Sequence, residues 1–501
     1  MKKSLLVLTL ASTFIPSISQ AASALSFTKE WTYQHEIASE ILSYDAVTNN
    51  IWVTGGTGVD ILNLNTGLKT GYVDVTPFGS INSVDIYNGV AAFAIENEVR
   101  SNNGFVQFYD TSSQNLIKQV SVGALPDMVK FTADGSKLLV ANEGTPDQYG
   151  AEIGNSSPKK FAPAVNDPAG SVSIIDTSSS DIKDAKVIAT AGFDGVAQTG
   201  SHIRTDTGMD FEPEYIAINE AGTKAYVALQ EANAVGVLNL GTNEFEKVIG
   251  LGAKDFSVAG NEIDVSDKDG EIKFASQNIK GLYMPDSIES YDANGQTYIV
   301  TANEGDFRED DGDAIRAGKL GLAAPLDRIN VSSTDSTADD LFIPGARSFS
   351  IFDENGNLAF DSGNRLEVEA AKFGIYNDGR SDNKGVEPEG VALLDLLGST
   401  YAFIGLERTT KSAIAVYDVT DPFNSLFLTM LISDDDLSPE GIEAFTTQGK
   451  AYLSFSNEKS NTTSLYSMSV SEVPIPAAAF LFAPALIGFM GLRRKAKNAV
   501  A

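Results

Sequence analysis

The chain of 501 residues contains no cysteine and only two histidines, His35 and His202. The absence of cysteine excludes disulfides, thiol catalysis and zinc sites with cysteine ligands. Two histidines cannot form a three-histidine metal site. A G-x-S-x-G segment is also absent, which excludes a serine hydrolase of that class. Any metal site in this protein must therefore rely on oxygen ligands.

Basic residues are scarce, since 36 Lys and Arg face 67 Asp and Glu, and the formal net charge is -31. Such a surface repels the phosphates of nucleic acids, so no nucleic-acid partner is expected. With 43% hydrophobic and 21% charged residues, the composition is that of a folded globular protein with a large core. Cations and cationic surfaces are the expected partners.

The first 21 residues have the organisation of a signal peptide. Lys2 and Lys3 precede an apolar stretch, and Ser19-Gln20-Ala21 forms a small-x-small cleavage site. The alternative is a buried first helix, which a basic start followed by this order of segments disfavours. We therefore expect residues 1–21 to direct export.

Residues 473–497 form an apolar segment that ends in basic residues, as in a membrane segment with a positive stop. The order V-P-I-P-A, apolar stretch, R-R-K resembles the PEP-CTERM class of sorting signals in its V-P-x-P-A variant. That resemblance implies an exosortase-type processing enzyme as a partner. Ile475 stands where the commonest form has glutamate, and plain retention as a membrane anchor is the alternative.

A repeating unit fills the chain between these ends. Each clear copy has a proline and an acid, an alternating apolar strand, a polar turn, and a second strand that ends in glutamate. Five clear copies and two degenerate ones lie at 125–144, 212–240, 284–306, 387–419 and 438–470, and at 41–64 and 81–110. Seven units of antiparallel strands predict an all-β fold, a seven-bladed β-propeller over residues 25–470. A β-sandwich array is the alternative.

Ring closure is expected from the segment around Trp31, which we predict to pair beside residues 464–470. The direction of the strands also predicts that one face carries function, because the long insertions at 145–169 and 305–345 both follow second strands. Acids begin the first strands and end the second strands at that same face. Asp127, Glu214, Glu231 and Glu458 are among them.

The candidate site residues all belong to this face. The candidate metal ligands are Glu143, Asp286, Glu304, Asp306, Glu389, Glu407 and Glu440. The candidate ligand-binding residues are Arg308, Arg380, Lys384 and Arg408. Converging carboxylates need counter-charge, which either salt bridges or a bound cation can supply. Hard oxygen ligands point to Ca²⁺ or Mg²⁺, and the acidic run at 306–313 favours Ca²⁺ although it matches no EF-hand and can also be a solvated loop.

Several stretches together resemble the choice-of-anchor I family of exported bacterial proteins. They are LPDMVKFTADGSKLLVANEG, DPAGSVSIID, GLYMPDSIESY, DGRSDNKGVEPEG and SPEGIEAF. The resemblance implies one β-propeller-like domain with a variable surface-sorting tail. The E-P-E-G and G-L-E-R segments also resemble the esterase-like phytase domain and calcium-dependent propeller alkaline phosphatases.

Two functions of different class follow. In the first, a cell-surface or matrix protein binds a small molecule, phosphoester or surface polymer at a cation-stabilised acidic face. In the second, the same face is a Ca²⁺-dependent phosphoester hydrolase, in which metals polarise the phosphoryl group and arginines stabilise the developing charge. The first is preferred because a strongly acidic site attracts phosphate only after it has bound metal.

Overall fold

The computed structural model describes residues 23–145, 167–204, 211–308 and 313–472. The predicted signal peptide, the C-terminal segment and most of the 145–169 insertion lie outside these residues. The chain divides into two compact units, one of residues 27–467 and one of the two terminal segments. Within the described residues, no helix is both long and apolar enough to cross a membrane. The fold below is that of the unit 27–467.

The first half of the chain consists of short strands in sequential meanders. The strands are β1 (Ser23–Gln34), β2 (Leu42–Asp45), β3 (Asn50–Gly55), β4 (Gly58–Asn63), β5 (Lys69–Asp74), β6 (Ile81–Tyr87), β7 (Val90–Ile95), β8 (Asn103–Asp110), β9 (Asn115–Ala124), β10 (Pro126–Phe131), β11 (Lys137–Asn142), β12 (Ser171–Asp176), β13 (Lys186–Ala191), β14 (Ala197–Ser201), β15 (Ile216–Ile218), β16 (Lys224–Leu229), β17 (Ala234–Asn239) and β18 (Glu244–Leu251).

The second half adds the insertions and the last three sheets. Its strands are β19 (Ala253–Asp255), β20 (Lys280–Leu282), β21 (Ile288–Ala293), β22 (Gln296–Ala302), β23 (Ala314–Arg316), β24 (Asn330–Ser332), β25 (Phe342–Ile343), β26 (Phe349–Asp353), β27 (Leu358–Asp361), β28 (Pro388–Leu396), β29 (Ser399–Leu406), β30 (Ser412–Asp418), β31 (Leu426–Ser433), β32 (Pro439–Thr447), β33 (Lys450–Asn457) and β34 (Thr462–Glu472). The helices are α1 (Arg365–Lys372) and the 3-10 turns Ile182–Asp184, Ala317–Leu320, Leu326–Arg328 and Asp378–Arg380.

Seven main sheets are built from these strands. Their orders are β2-β3-β4-β5, β6-β7-β8-β9, β10-β11-β12-β13, β14-β18-β17-β16-β15, β21-β22-β26-β27, β28-β29-β30-β31 and β1-β34-β33-β32. The predicted pairing of the Trp31 segment is confirmed, because β1 lies beside β34. The fourth sheet departs from the antiparallel prediction, since β14 pairs in parallel with β18.

The strands in second position are buried on both faces, which explains their nearly continuous apolar sequences. In β11 and β16 every residue after the first is buried. Side chains from neighbouring sheets meet there, as Trp52 on β3 does with Phe93 on β7 at a ring-centroid distance of 6.0 Å. Burial between sheets therefore ties each repeat to the next.

The first strands of the seven sheets contact one another in sequence. β2 contacts β6, and the contacts continue through β10, β15, β21, β28 and β32, which in turn contacts β2. These strands line a common cavity of about 520 Å³. The all-β class is confirmed, and each sheet is open, with four or five strands. The seven-bladed propeller stays a prediction.

The junction of β1 with β34 contains the buried His35. Its Nδ1 lies 2.7 Å from Asp60 Oδ2, and its Nε2 lies 2.8 Å from Thr463 Oγ1. The ring therefore links the first sheet to the last strand of the chain.

We expect His35→Ala to destabilise the protein by roughly 1–3 kcal/mol, because it leaves buried polar groups without a partner. His202→Ala is the matched control. That side chain is exposed and contacts only Ser201 Oγ among polar groups of the described chain, so we expect a change of at most about 0.5 kcal/mol. Urea unfolding measures both, and equal losses in the two variants would contradict the role given to His35.

Candidate functional site

A recurring backbone contact places two acids side by side in the repeats. The residue before the proline has a positive φ, as in Leu125 (44°), Glu387 (50°) and Ser438 (60°). Its carbonyl accepts a hydrogen bond from the residue that ends the second strand. The donors are the N–H groups of Glu143, Glu407 and Glu458, at 2.9, 2.9 and 2.8 Å respectively. The acid after the proline and the acid that ends the second strand are thus held at one end of each sheet.

Four acids that follow the prolines line one end of the common cavity. They are Asp127, Asp286, Glu389 and Glu440, which we call the mouth carboxylates. Burial raises the pKa of Glu389 most, and the negative charges of Glu407, Glu304, Asp286 and Glu440 raise it further. Acids of several different sheets therefore share one electrostatic environment.

A second charged group lines the same cavity three positions further along the first strands, as Lys130 follows Asp127 and Glu289 follows Asp286. It comprises Asp85, Lys130, Glu289 and Glu443, which we call the lower group. Lys130 Nζ lies 3.3 Å from Glu289 Oε1. Asp85 and Glu443 accept backbone N–H groups from Phe131 and Tyr44, each at 2.7 Å. The cavity thus has charged groups at two levels.

The tightest acidic group consists of Glu304, Glu387 and Glu407, all three buried. One carboxylate oxygen from each lies within 4.8 Å of the other two. We call these residues the carboxylate trio. It combines the end of β22, the residue before β28 and the end of β29, so two adjacent sheets supply it.

Three basic residues contact the carboxylate trio closely, and the half-exposed ammonium group of Lys459 lies farther off, 3.9 Å from Glu407 Oε1. Lys384 Nζ lies 2.5 Å from Glu304 Oε1, 3.2 Å from Glu387 Oε2 and 3.3 Å from Asp306 Oδ2. Arg380 Nε donates to Glu387 Oε1 at 2.6 Å. Arg408 Nε lies 2.8 Å from Glu407 Oε2. Asp306 adds a fourth acid, so the four acids exceed the three close bases by one charge, which the solvent-exposed Lys459 offsets only weakly.

The buried Arg347 holds the loop that carries Lys384 and Glu387. Its Nη2 donates to the carbonyls of Ser381 and Asn383, both at 2.8 Å, and its Nη1 lies 3.3 Å from Glu367 Oε1 on α1. Helix α1 therefore acts through Arg347 to fix the basic side of the carboxylate trio.

Burial raises the pKa of several of these carboxyls, and neighbouring acids raise it further. The pKa of Asp127 rises to about 7, and the pKa values of Glu231 and Glu407 rise to about 8. For Asp286 and Glu440, burial again leads and the pKa lies well above its usual range. The folded protein therefore opposes full ionisation of this face near neutral pH.

Some of these carboxylates also have a buried oxygen without a hydrogen-bond partner. This is true of Oε2 in Glu214, Glu231, Glu389 and Glu440. An unpaired buried carboxylate oxygen is costly unless a proton or a cation binds it. The face is therefore suited to positive ligands.

The candidate residues from the sequence fall into three groups. Glu304, Asp306, Glu407, Arg380, Lys384 and Arg408 surround the carboxylate trio, whereas Asp286, Glu389 and Glu440 lie at the cavity mouth. Arg308 lies elsewhere, with Nη2 3.2 Å from Glu212 Oε1. Glu143 accepts a hydrogen bond from Thr145, and its negative charge adds to the effect of burial in raising the pKa of Glu231. Of the acidic run at 306–313, residues 309–312 lie outside the described residues, and Asp313 pairs with Arg204 Nη2 at 2.6 Å.

Sequence reasoning missed Glu387 and Glu212. Both precede the proline of a repeat, in the segments E-P-E at 387–389 and 212–214, where other units have Leu125, Met284 or Ser438. Both are buried and paired with basic residues. The doubled acid around proline was the available signal.

The family model of the choice-of-anchor I domain matches residues 40–422. The chain belongs to the choice-of-anchor I family. A mesenchyme-specific cell surface glycoprotein of Strongylocentrotus purpuratus is 29% identical over a region that covers 43% of this chain and 36% of that protein. The chain thus spans about a third of the length of this relative.

Among solved structures, Kuenenia stuttgartiensis hydrazine synthase aligns with a TM-score of 0.47 and 12% identity. The alignment covers 88% of this chain and 98% of that one.

We expect the free energy of unfolding to fall as the pH rises from about 5 to 8 in the presence of a chelator. Carboxyls with a raised pKa, such as Asp127 and Glu231, bind protons more tightly in the folded state than in the unfolded state. Stability from these groups is therefore present at the acid end of that window and is lost through it. Urea unfolding at several pH values measures this, and a flat or rising stability would contradict it.

Proposed function

We propose that this protein is an exported cell-surface β-propeller that binds Ca²⁺ at its acidic face and, through it, an anionic ligand. The cyclic contacts of the seven first strands support the propeller. The family and the surface glycoprotein relative support the location. The predicted export signal and sorting tail are consistent with it.

The carboxylate trio is the observation that carries the calcium site. Ca²⁺ binds oxygens at about 2.3–2.6 Å, so two ligands of one ion lie at most about 5 Å apart. The oxygens of Glu304, Glu387 and Glu407 lie within 4.8 Å of one another and meet this condition. They come from strand ends and a backbone held at positive φ, which keeps them together in advance of binding.

Charge supports the same site. With Asp306, the carboxylate trio has one more acid than the three bases that contact it closely, the half-exposed Lys459 being 3.9 Å away, and the charge of Glu407 also acts on the buried Glu389. A divalent cation offsets this excess. A ligand with carboxylate or phosphate oxygens can then bind the ion while Lys384, Arg380 and Arg408 lie beside it. An acidic surface polymer or a small phosphoester has this chemistry.

The hydrolase alternative stays a prediction. Phosphoryl transfer needs cations that are available to the developing charge. In the described structure Lys384, Arg380 and Arg408 each pair with a carboxylate, which favours binding over hydrolysis. Turnover of p-nitrophenyl phosphate with and without Ca²⁺ tests the alternative, and Ca²⁺-dependent turnover would favour it.

We expect added Ca²⁺ to raise the melting temperature by an amount that grows with the logarithm of its concentration. The corresponding gain in the free energy of unfolding is about 2.7 kcal/mol when the Ca²⁺ concentration is 100 times Kd. Glu304→Gln and Glu387→Gln should each remove most of this gain, because each deletes one ligand. Glu246→Gln, a substitution of a partly exposed acid on β18, is the matched control and should keep it. No shift in the wild type would overturn the calcium site.

We also expect the protein at the surface of the cells that make it. Surface biotinylation of intact cells tests this, with a cytoplasmic protein as the control. Mass spectrometry of the native protein distinguishes the two fates of the tail, since exosortase-type processing removes Arg493 and Arg494 whereas a membrane anchor keeps them. Protein that biotin reaches only after lysis would contradict surface exposure.

A further inference from the structure

The common cavity has an acidic lining that the calcium site does not use. Among the described residues that line it are nine carboxylates and one ammonium group, that of Lys130. In the described structure, the oxygens of the carboxylate trio lie within 4.8 Å of one another. Within that part of the chain, no three of the mouth carboxylates lie that close together. The mouth is therefore too wide for three of these acids to coordinate one small ion directly.

Glu214 points to a ligand at the mouth independently of this charge count. Its side chain is nine-tenths buried, at 9% exposure, and its Oε2 has no hydrogen-bond partner. It follows the proline of its repeat, as the mouth carboxylates follow theirs, and after burial the charge of Glu231, then those of Asp286, Glu143 and Asp127, act on its pKa. Oε2 of Glu389 and of Glu440 also lack partners. These three buried carboxylate oxygens therefore have no hydrogen-bond donor among the described residues.

Elsewhere in the protein, lysine ammonium groups pair with carboxylates like those at the mouth. In the lower group, the ammonium of Lys130 pairs with Glu289. At the carboxylate trio, the ammonium of Lys384 contacts Glu304, Glu387 and the neighbouring Asp306. Both are primary ammonium groups with three donors each. The charge of Lys384 acts on Asp286, but no ammonium group belongs to the mouth carboxylates among the described lining residues.

We propose that the cavity binds a linear aliphatic polyamine, with one ammonium group at the mouth carboxylates and another near Asp85 and Glu443 of the lower group. Glu443 stands three positions after Glu440, and a β-bulge between Pro439 and Ile442 sets these positions against two of β33, so the two levels are roughly 7–10 Å apart along the strand. An extended chain of methylenes with terminal ammonium groups spans this distance. The apolar side chains of Val129, Ile288 and Ile442 line the cavity between the levels and suit the methylenes.

This site is separate from the calcium site of the proposed function and does not depend on it. A polyamine needs several hydrogen-bond acceptors along a line, whereas Ca²⁺ needs three or more at one point. A cavity of about 520 Å³ has room for such a chain.

Isothermal titration of the full-length protein with spermidine in the presence of EDTA tests the proposal. We expect saturable binding by the wild type, and none by butylammonium at equal ionic strength. Asp286→Asn combined with Glu440→Gln should weaken spermidine binding by about ten-fold or more, since two charge-assisted contacts are lost. Glu246→Gln, outside the cavity, should bind as the wild type does.

A second variant keeps the test decisive if the double variant fails to fold. Asn82 is a neutral residue of the cavity lining near the mouth, and Asn82→Lys adds an ammonium group there. It should raise the melting temperature and weaken spermidine binding by about ten-fold or more. Absence of binding in the wild type, equal binding of butylammonium, or unchanged affinity in Asn82→Lys would overturn the polyamine site. The Ca²⁺ shift, measured separately, reports on the proposed function alone.

Discussion

Repulsion among carboxylates at one end of the first strands is the constraint on which the rest of this structure depends. The repeat places an acid after the proline and another at the end of the second strand, and packing of successive sheets brings these acids together. Their burial strengthens the repulsion because less water screens it. The fold gathers these acids at one end because the first strand runs in the same direction in each repeat.

The chain offsets part of the charge with its own cations. Lys384 sits among three carboxylates, Lys130 pairs with Glu289, and Arg308 pairs with the buried Glu212. Buried ion pairs of this kind contribute little net stability but are costly to break. Their geometry suits them to shaping a site: Arg347 and α1 position the loop of Lys384, and the backbone at Glu387 presents its carboxylate to that lysine. The remaining negative charge calls for protons or external cations.

Much of the fold could be predicted from the sequence because the repeat is periodic. The Pro-acid motif, the alternating strands and the stray segment around Trp31 indicated the all-β class and the pairing of β1 with β34. The parallel strand β14, helix α1 and the small sheet of β19, β20 and β25 were not predictable, because they belong to insertions without periodicity. Their positions depend on long-range contacts such as Arg347 with Ser381.

The site was predictable to the level of a face. Strand direction placed Glu304, Glu407 and Lys384 together, but Glu387 escaped notice because the residue before the proline is variable among the repeats. The lower group was also missed. Asp85, Lys130 and Glu443 occupy equivalent places on three first strands, and only the assembled cavity shows that they meet.

The central claim is that the folded protein holds its acidic face partly protonated in the absence of other cations. Potentiometric titration of the folded and the urea-unfolded protein, both in EDTA, measures this directly. The account predicts that the folded protein holds more protons than the unfolded protein between about pH 5 and 8, and that saturating Ca²⁺ reduces the difference. Coincident titration curves over that range would contradict it.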